Sequence, residues 1–443
     1  MKTLMSFYLS SRFFVVVAIL VLLFVLSYFF KPLLVITNLV FVGVIILLLS
    51  DIFILYTNKK GVYAYRVTPN RLSNGDLNEI KIFLENRYAF NIKCEVIDEI
   101  PFEFQIRDFL LRLSIEAGTT KVFSYTLRPV KRGEYNFGST NIYASSPICF
   151  VKRRYSFEGK KIVPVYPSYI QMKKYELMAI SDRLTEAGVR RIRRVGHSME
   201  FEHIKEYVRG DDYRTINWKA TARKANLMVN HYEDEKSQQV YSVIDSGRVM
   251  KMPFEGMSLL DFAINSSLVI SSIAMHKQDK AGIITFSNKV NNILPADRQA
   301  RQMQKIQEVL YNQKTDFQES DFETLSSIIL QKISHRSLIL LYTNFETVNA
   351  LNRQLEYLRR LSKAHLVIII FFINTELYKL IDKPTLKVED IYHKTIAEKF
   401  AFEKRLIVKE LARYSIQSIL TTPQNLSVNT INKYLELKAR GLI

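Results

Sequence analysis

A chain of 443 residues, 48% hydrophobic and 24% charged, carries enough apolar material for two or three ordered domains and is not a disordered chain. Its formal charge of +19 favours an acidic partner surface, whether anionic lipid, nucleic acid or acidic protein. Cys94 and Cys149 are the only cysteines, with no C-x-x-C pair and no cysteine–histidine cluster, so the sequence offers neither a disulfide framework nor a zinc site.

Phe13 to Phe30 and Leu33 to Ser50 are uncharged runs of eighteen residues each, separated by Lys31 and Pro32. At about 1.5 Å per residue each crosses the hydrocarbon layer as a helix, so residues 1–60 are predicted to form a membrane hairpin. A second apolar run directly after the first argues against a cleaved signal peptide. Lys2 and Arg12 precede the hairpin, Lys59, Lys60 and Arg66 follow it, and only Lys31 sits in the turn. The positive-inside bias therefore predicts a multi-pass protein with both ends in the cytoplasm. Asp51 closes the second run and is read as an interfacial residue without a role.

Residues 61–168 alternate with period two, as in Ile80, Ile82 and Leu84 against Lys81, Phe83 and Glu85. Turn chemistry at Ser73-Asn74-Gly75-Asp76, Ala117-Gly118 and Arg132-Gly133-Glu134 spaces short strands as in an antiparallel β-sandwich. No catalytic constellation falls within it.

Residues 169–238 form a charged connecting region. From residue 239 to 443 strand-length apolar runs (QVYSVID, AGIITFS, SLILLYT, HLVIIIFFI, SIQSILTT) alternate with amphipathic stretches such as Leu259 to His276, Gln299 to Tyr311 and Leu351 to Leu361. Helices from Val388 to about Tyr414 and from Thr430 to Arg440, with Asn429 as N-cap, close the domain. The expected fold class is α/β: a membrane hairpin, an antiparallel sandwich, then a doubly wound, mostly parallel sheet. Such sheets bind ligands beyond the carboxyl ends of their strands, where Asp245, Ser287 and Thr343-Asn344 stand. The glycines form no G-x-G-x-x-G and no G-x-x-x-x-G-K-[ST], so a nucleotide enzyme is not expected. H-E-x-x-H and G-x-S-x-G are absent as well.

The block from Gly196 to Met250 is dense in charge and aromatics: Glu200-Phe201, Tyr207, Gly210-Asp211-Asp212, Arg214, Ile216-Asn217-Trp218, Ala220, Ala222-Arg223, Leu227-Met228-Val229, Tyr232, and Glu233 followed two residues on by Glu235. Gly210 permits a turn, Asp211 or Asp212 can cap the helix that follows, Arg214 can pair with one of them, and Trp218, the only tryptophan, is expected to pin that helix to the sheet. With the strand–helix order, the block resembles the bacterial membrane family labelled domain of unknown function fifty-eight. There a hairpin anchor and a sandwich precede a von Willebrand factor A domain. The resemblance implies an inner-membrane location and partnership with a MoxR-type AAA+ ATPase or other A-domain proteins. It implies no settled activity.

In A domains a metal is held by an Asp at the strand end, hydroxyls two and four residues later, and a Thr and an Asp from later loops. Here Asp245 is present, but Gly247 and Val249 stand at the hydroxyl positions, Ser320 at the Thr and Asn344 at the Asp; Ser246 can supply one oxygen through a shifted turn. Two oxygens and one negative charge short, the set is expected to bind no cofactor, Mg²⁺ included. Arg248 lies where a metal would supply positive charge, which makes Asp245, Arg248 and Asn344 the candidate partner-docking residues.

The run Arg190-Arg191-Ile192-Arg193-Arg194, with Lys152, Arg153, Arg154, Lys160 and Lys161, offers contact with anionic lipid headgroups. Nucleic acid is disfavoured, because no aromatic residue interleaves the arginines. The expected function is therefore non-enzymatic protein docking or scaffolding. The alternatives are a hydrolytic centre around Asp211, Asp212 and Asp245, or nucleic-acid binding through the arginine run.

Overall fold

A computed structural model describes residues 6–58, 60–180, 188, 199–208, 211–234, 237–315, 317–382 and 388–443, with the side chains of 180, 199–202, 231–234, 379 and 382 also left aside. Gly210, Glu235 and the Arg190–Arg194 run lie outside the described residues, as does the side chain of Glu233. The chain divides into two compact units, Met1–Tyr166 and Pro167–Ile443.

In the first unit two apolar helices, Ser11–Phe29 and Leu33–Thr57, are each long and apolar enough to cross a membrane. The second runs seven residues past the apolar stretch that marks it in the sequence, and Leu55 in its last turns is fully buried in the β core. The sandwich holds both ends of the hairpin. Before the first helix, Phe7–Leu9 pairs antiparallel with Val151–Phe157. After the second, Val62–Val67 pairs antiparallel with Asn78–Asn86. Asp51, read from sequence as interfacial, is fully buried: its carboxylate accepts from Phe150 N at 2.9 Å, from Val151 N at 2.8 Å and from the Ser146 hydroxyl. Arg153 donates to the carbonyls of Leu55 and Asn58 at the end of the second helix, a cationic C-cap. The β portion comprises a five-stranded sheet and two three-stranded sheets. Alternate residues of two of them, such as Ile82 and Leu84 on one and Cys94, Val96 and Ile142 on the other, share one core.

In the second unit a six-stranded sheet has the spatial order Val290–Asp297, Lys280–Phe286, Gln239–Asp245, Leu338–Tyr342, Leu366–Phe372, Gln417–Thr421. All neighbours are parallel except the first pair, which is an antiparallel hairpin at the edge. The central strands are apolar on both faces because each face has its own core. Val240, Ile244, Leu340 and Tyr342 pack with helix Leu259–His276, whereas Tyr241, Val243, Ile339 and Leu341 pack with the helices Phe322–Lys332 and Val348–Ala364. Leu259–His276 is as apolar as some membrane spans, yet it is buried in this core. Helix Tyr169–Ile180, assigned from sequence to the connecting region, packs into the same core through Met172, Tyr175 and Ala179.

Candidate functional site

Counted along the chain, the sheet order is 3-2-1-4-5-6, so the chain builds outward from Gln239–Asp245 on one side and then crosses to build on the other. Parallel sheets of this order open a crevice outside the carboxyl ends of the two strands flanking the reversal, here Gln239–Asp245 and Leu338–Tyr342. A cavity of about 230 Å³ lies at that place, lined by Asp245, Arg248, Ser320, Thr343, Asn344 and Arg353 among others. The structure thus brings together four residues singled out in the sequence, Asp245, Arg248, Ser320 and Asn344.

Asp245 forms the floor and is fully buried. Oδ1 accepts from Ser320 Oγ at 2.5 Å and from Gly247 N at 2.8 Å, and Oδ2 accepts from Thr343 Oγ1 at 2.7 Å. Burial pushes its carboxyl above the usual carboxylate range, against the opposing pull of these three donors. Sequence reasoning missed the role of Thr343, although its place at the strand end was visible. Ser246 turns away and donates to the Phe286 carbonyl at 2.9 Å, so it supplies no oxygen to the crevice.

The donor set does not fit a divalent cation. A Cβ built on Gly247 falls 2.1 Å from Ser320 Oγ, so the Ser320 hydroxyl fills the space of the hydroxyl missing at 247. Asn344 Oδ1 accepts from Lys404 Nζ at 2.6 Å, and the same ammonium donates to the Phe345 carbonyl at 2.5 Å. A fixed cation therefore sits against the residue that would complete a metal site. Among the described residues no three His, Cys, Asp or Glu side chains cluster as metal ligands. Burial lowers Lys404 to about 8, with Glu346 opposing. Lys404 lies on the helix Val388–Arg413, far along the chain, and no sequence signal marked it.

Arg248, on the short turn Arg248–Lys251, is exposed and has no carboxylate partner among the described residues; its amide donates to the Gln318 carbonyl at 3.0 Å. Beside the crevice, sharing Asn344 and Glu346 with it, a second cleft of about 180 Å³ is apolar, walled by Met252, Phe254, Phe372, Leu377 and Phe400.

The charged block folds as a hairpin, Met199–Glu206 with Met228–Asp234, enclosing the short helix Trp218–Lys224. Asp212 caps the turn Tyr213–Thr215 through Arg214 N, and Asn217 caps the helix through Ala220 N. Asp211 pairs with Lys205 at 3.0 Å, not with Arg214, whose guanidinium lies 5.7 Å from the Tyr213 ring centre. Trp218 is 70% exposed and pins nothing to the sheet; Arg223 is exposed too. Neither Asp211 nor Asp212 lines the crevice of Asp245.

These observations define a mixed α/β chain with several β-sheets and two N-terminal apolar helices long enough to span a membrane. The family described as "Protein of unknown function DUF58" matches residues 203–403. The chain is similar to the uncharacterized protein YeaD of Bacillus subtilis (strain 168), 25% identical over 208 residues, 44% of this chain and 51% of the relative. The chain thus spans about half the length of that curated relative. Among solved structures, the conserved hypothetical protein BatB from Bacteroides thetaiotaomicron aligns at 11% identity and a TM-score of 0.29, covering 46% of this chain and 98% of that one. The ASH/PapD-like domain of human CEP192 aligns at 14% identity and a TM-score of 0.19, covering 24% and 87%. Likenesses this distant carry no argument about the chain.

Proposed function

We propose that this chain is a non-enzymatic docking component anchored in a bacterial inner membrane, and that its second unit is a doubly wound domain of von Willebrand factor A type. The crevice beyond Asp245 receives an acidic residue of a partner protein. The observation that carries this reading is the exposed, carboxylate-free Arg248 at the mouth of a crevice sited at the sheet's reversal point. The apolar cleft beside it supplies the second half of a recognition pair, an anchor for a hydrophobic side chain next to the acid. Asp245, satisfied by three donors, shapes the floor and is not itself the contact.

The partner, by resemblance, is a MoxR-type AAA+ ATPase or another A-domain protein. The anchoring half of the reading is supported by the return of both ends of the hairpin to one sandwich, as expected if Phe7–Leu9 and Val62–Val67 lie on the same side of the bilayer. The positive-inside bias makes that side the cytoplasm.

The test is binding between the full chain and the MoxR-type ATPase encoded by the same genome, for wild type and Arg248→Ala, with and without chelator. Arg248→Ala is expected to weaken binding by about tenfold, the loss of one charge-assisted contact, and chelation is expected to change nothing. Unaltered affinity in the variant, or loss on chelation, overturns the docking mode. Reporter fusions at either end and within the Lys31 turn test the topology separately.

A further inference from the structure

A second cavity, of about 400 Å³, lies in the first unit at the start of the helix Ser11–Phe29. Its wall carries four cations, Arg12, Lys93, Arg112 and Lys152, and one carboxylate, Glu95. Glu95 is already shared: it meets Lys152 Nζ at 2.6 Å and Arg112 Nε at 3.7 Å. Arg12 and Lys93 are exposed and have no carboxylate partner among the described residues. The cavity therefore holds a marked excess of positive charge that the protein does not neutralise.

Its position gives that excess a meaning. Arg12 is the last charged residue before the uninterrupted apolar run from Phe13 to Phe30, so the cavity sits where the chain enters the hydrocarbon layer. The other cations come from separate strands: Lys93 from Ile92–Asp98, Arg112 from Leu111–Ile115 and Lys152 from Val151–Phe157. The sandwich brings them together beside the first helix turn because the strand Phe7–Leu9, two residues before that helix, is itself part of the five-stranded sheet. Hydroxyls of Ser11 and Ser114 also line the space and can donate to an oxyanion. The volume falls within the range of about 300–1,000 Å³ typical of small-ligand sites.

We propose that this cavity binds the phosphate-bearing headgroup of an anionic phospholipid, with its acyl chains running along the outside of the Ser11–Phe29 helix. The side chains on that helix beyond Arg12 are predominantly apolar and exposed, Phe14, Val15 and Ile19 among them, as acyl contact requires. Neighbouring cations do not duplicate the site: Arg153 is held by two helix-end carbonyls and Arg154 by Asn141 Oδ1. This inference rests on the membrane reading of the hairpin and is independent of docking at Arg248.

The experiment uses the full chain in phosphatidylcholine nanodiscs doped with phosphatidylglycerol, with retained lipid read by native mass spectrometry. Wild type is expected to retain phosphatidylglycerol over phosphatidylcholine. Arg12→Gln/Lys93→Gln is expected to lose that preference by about twenty-fivefold, near fivefold for each juxtamembrane charge. Arg360→Gln/Lys363→Gln, which removes the same net charge from an exposed helix face of the second unit, is expected to keep it. Equal retention by all three proteins overturns the site. Displacement of the lipid by millimolar inorganic phosphate overturns the lipid assignment in favour of a soluble anion. Failure of the chain to enter nanodiscs at all overturns the membrane reading and this inference with it, whereas entry without selectivity overturns only the inference.

Discussion

Lys404 Nζ donates to Asn344 Oδ1 at 2.6 Å, sixty residues apart in sequence. The buried ammonium has a second acceptor in the Phe345 carbonyl at 2.5 Å, so Asn344 and the chain beside it hold a cation that is largely out of water. Asn344→Asp is expected to convert this contact into an ion pair and to stabilise the fold at pH 7 by about 1 kcal/mol. It is not expected to create a response to Mg²⁺ or to chelator, because the two hydroxyls are still missing. The pH dependence follows from Lys404. Its folded pKa, about 8, lies below the unfolded value of 10.5, so the unfolded chain binds more protons between those limits and stability rises with pH across them. Urea melts at pH 7.5 and 9.5 check this. The rise should be smaller in Asn344→Asp, where the new carboxylate holds the proton on Lys404.

Asp245 has the opposite sign. Burial raises its carboxyl, so the folded state favours the protonated form; that contribution is present below the unfolded pKa and is lost as pH climbs through the folded one. Asp245→Asn keeps the shape and cannot ionise. Its amide oxygen can still accept from Gly247 N and Ser320 Oγ, and Thr343 Oγ1 can turn to accept from the new NH₂. The variant is expected to melt a few degrees above wild type at pH 7.5 and to lose that advantage at pH 4. A variant less stable than wild type at both values would mean that the three donors outweigh the desolvation of the charge.

Asp51 joins the second apolar helix to the sandwich through the amides of Phe150 and Val151. Asp51→Ala strands both buried N–H groups, at about 1–3 kcal/mol each. Thermal melts in detergent are expected to show a large loss for Asp51→Ala and a smaller one for Asp51→Asn, whose single oxygen can still accept. Equal, small effects would show that the helix end is held by its apolar contacts alone.

The strands of the second unit were legible because a parallel sheet covered on both sides needs unbroken apolar runs. QVYSVID is the strand Gln239–Asp245, and Leu259 to His276 is the helix as read. The edge strand Val290–Asp297 was not legible, since one hydrogen-bonded neighbour and half-exposed faces let it carry two asparagines and a proline. Asn429, expected as an N-cap, lies inside the helix Leu426–Ala439 and donates to Thr421 Oγ1, because a turn at Pro423–Asn425 starts the helix earlier. At the site, Asp245, Ser320 and Asn344 were visible from strand-end position and loop order. Lys404 was not, because a lysine on a long charged helix looks solvent-facing until the fold lays that helix against a strand end. Trp218 misled for the converse reason: a lone tryptophan reads as core, yet its helix is short and leaves the indole 70% exposed.

Gly247 gives the sharpest test of why the crevice lacks a hydroxyl at that position. Its backbone, at φ −70° and ψ −179°, is open to any residue, so only space decides what fits. A Cβ there would meet Ser320 Oγ at 2.1 Å, Asp245 Oδ1 at 3.0 Å and the Gln318 carbonyl at 3.1 Å. Gly247→Ser is therefore expected to cost about 1–3 kcal/mol by overpacking. Ser320→Ala alone is expected to cost about 1 kcal/mol or more, because Asp245 Oδ1 loses a donor in a buried place. Together the two changes remove the clash and let the new hydroxyl at 247 donate to Asp245 in place of the lost one. The double variant is expected to be more stable than the sum of the singles by about 1–2 kcal/mol, a coupling that urea melts of all four proteins measure directly. Strict additivity would show that Ser320 does not occupy the space of the missing hydroxyl.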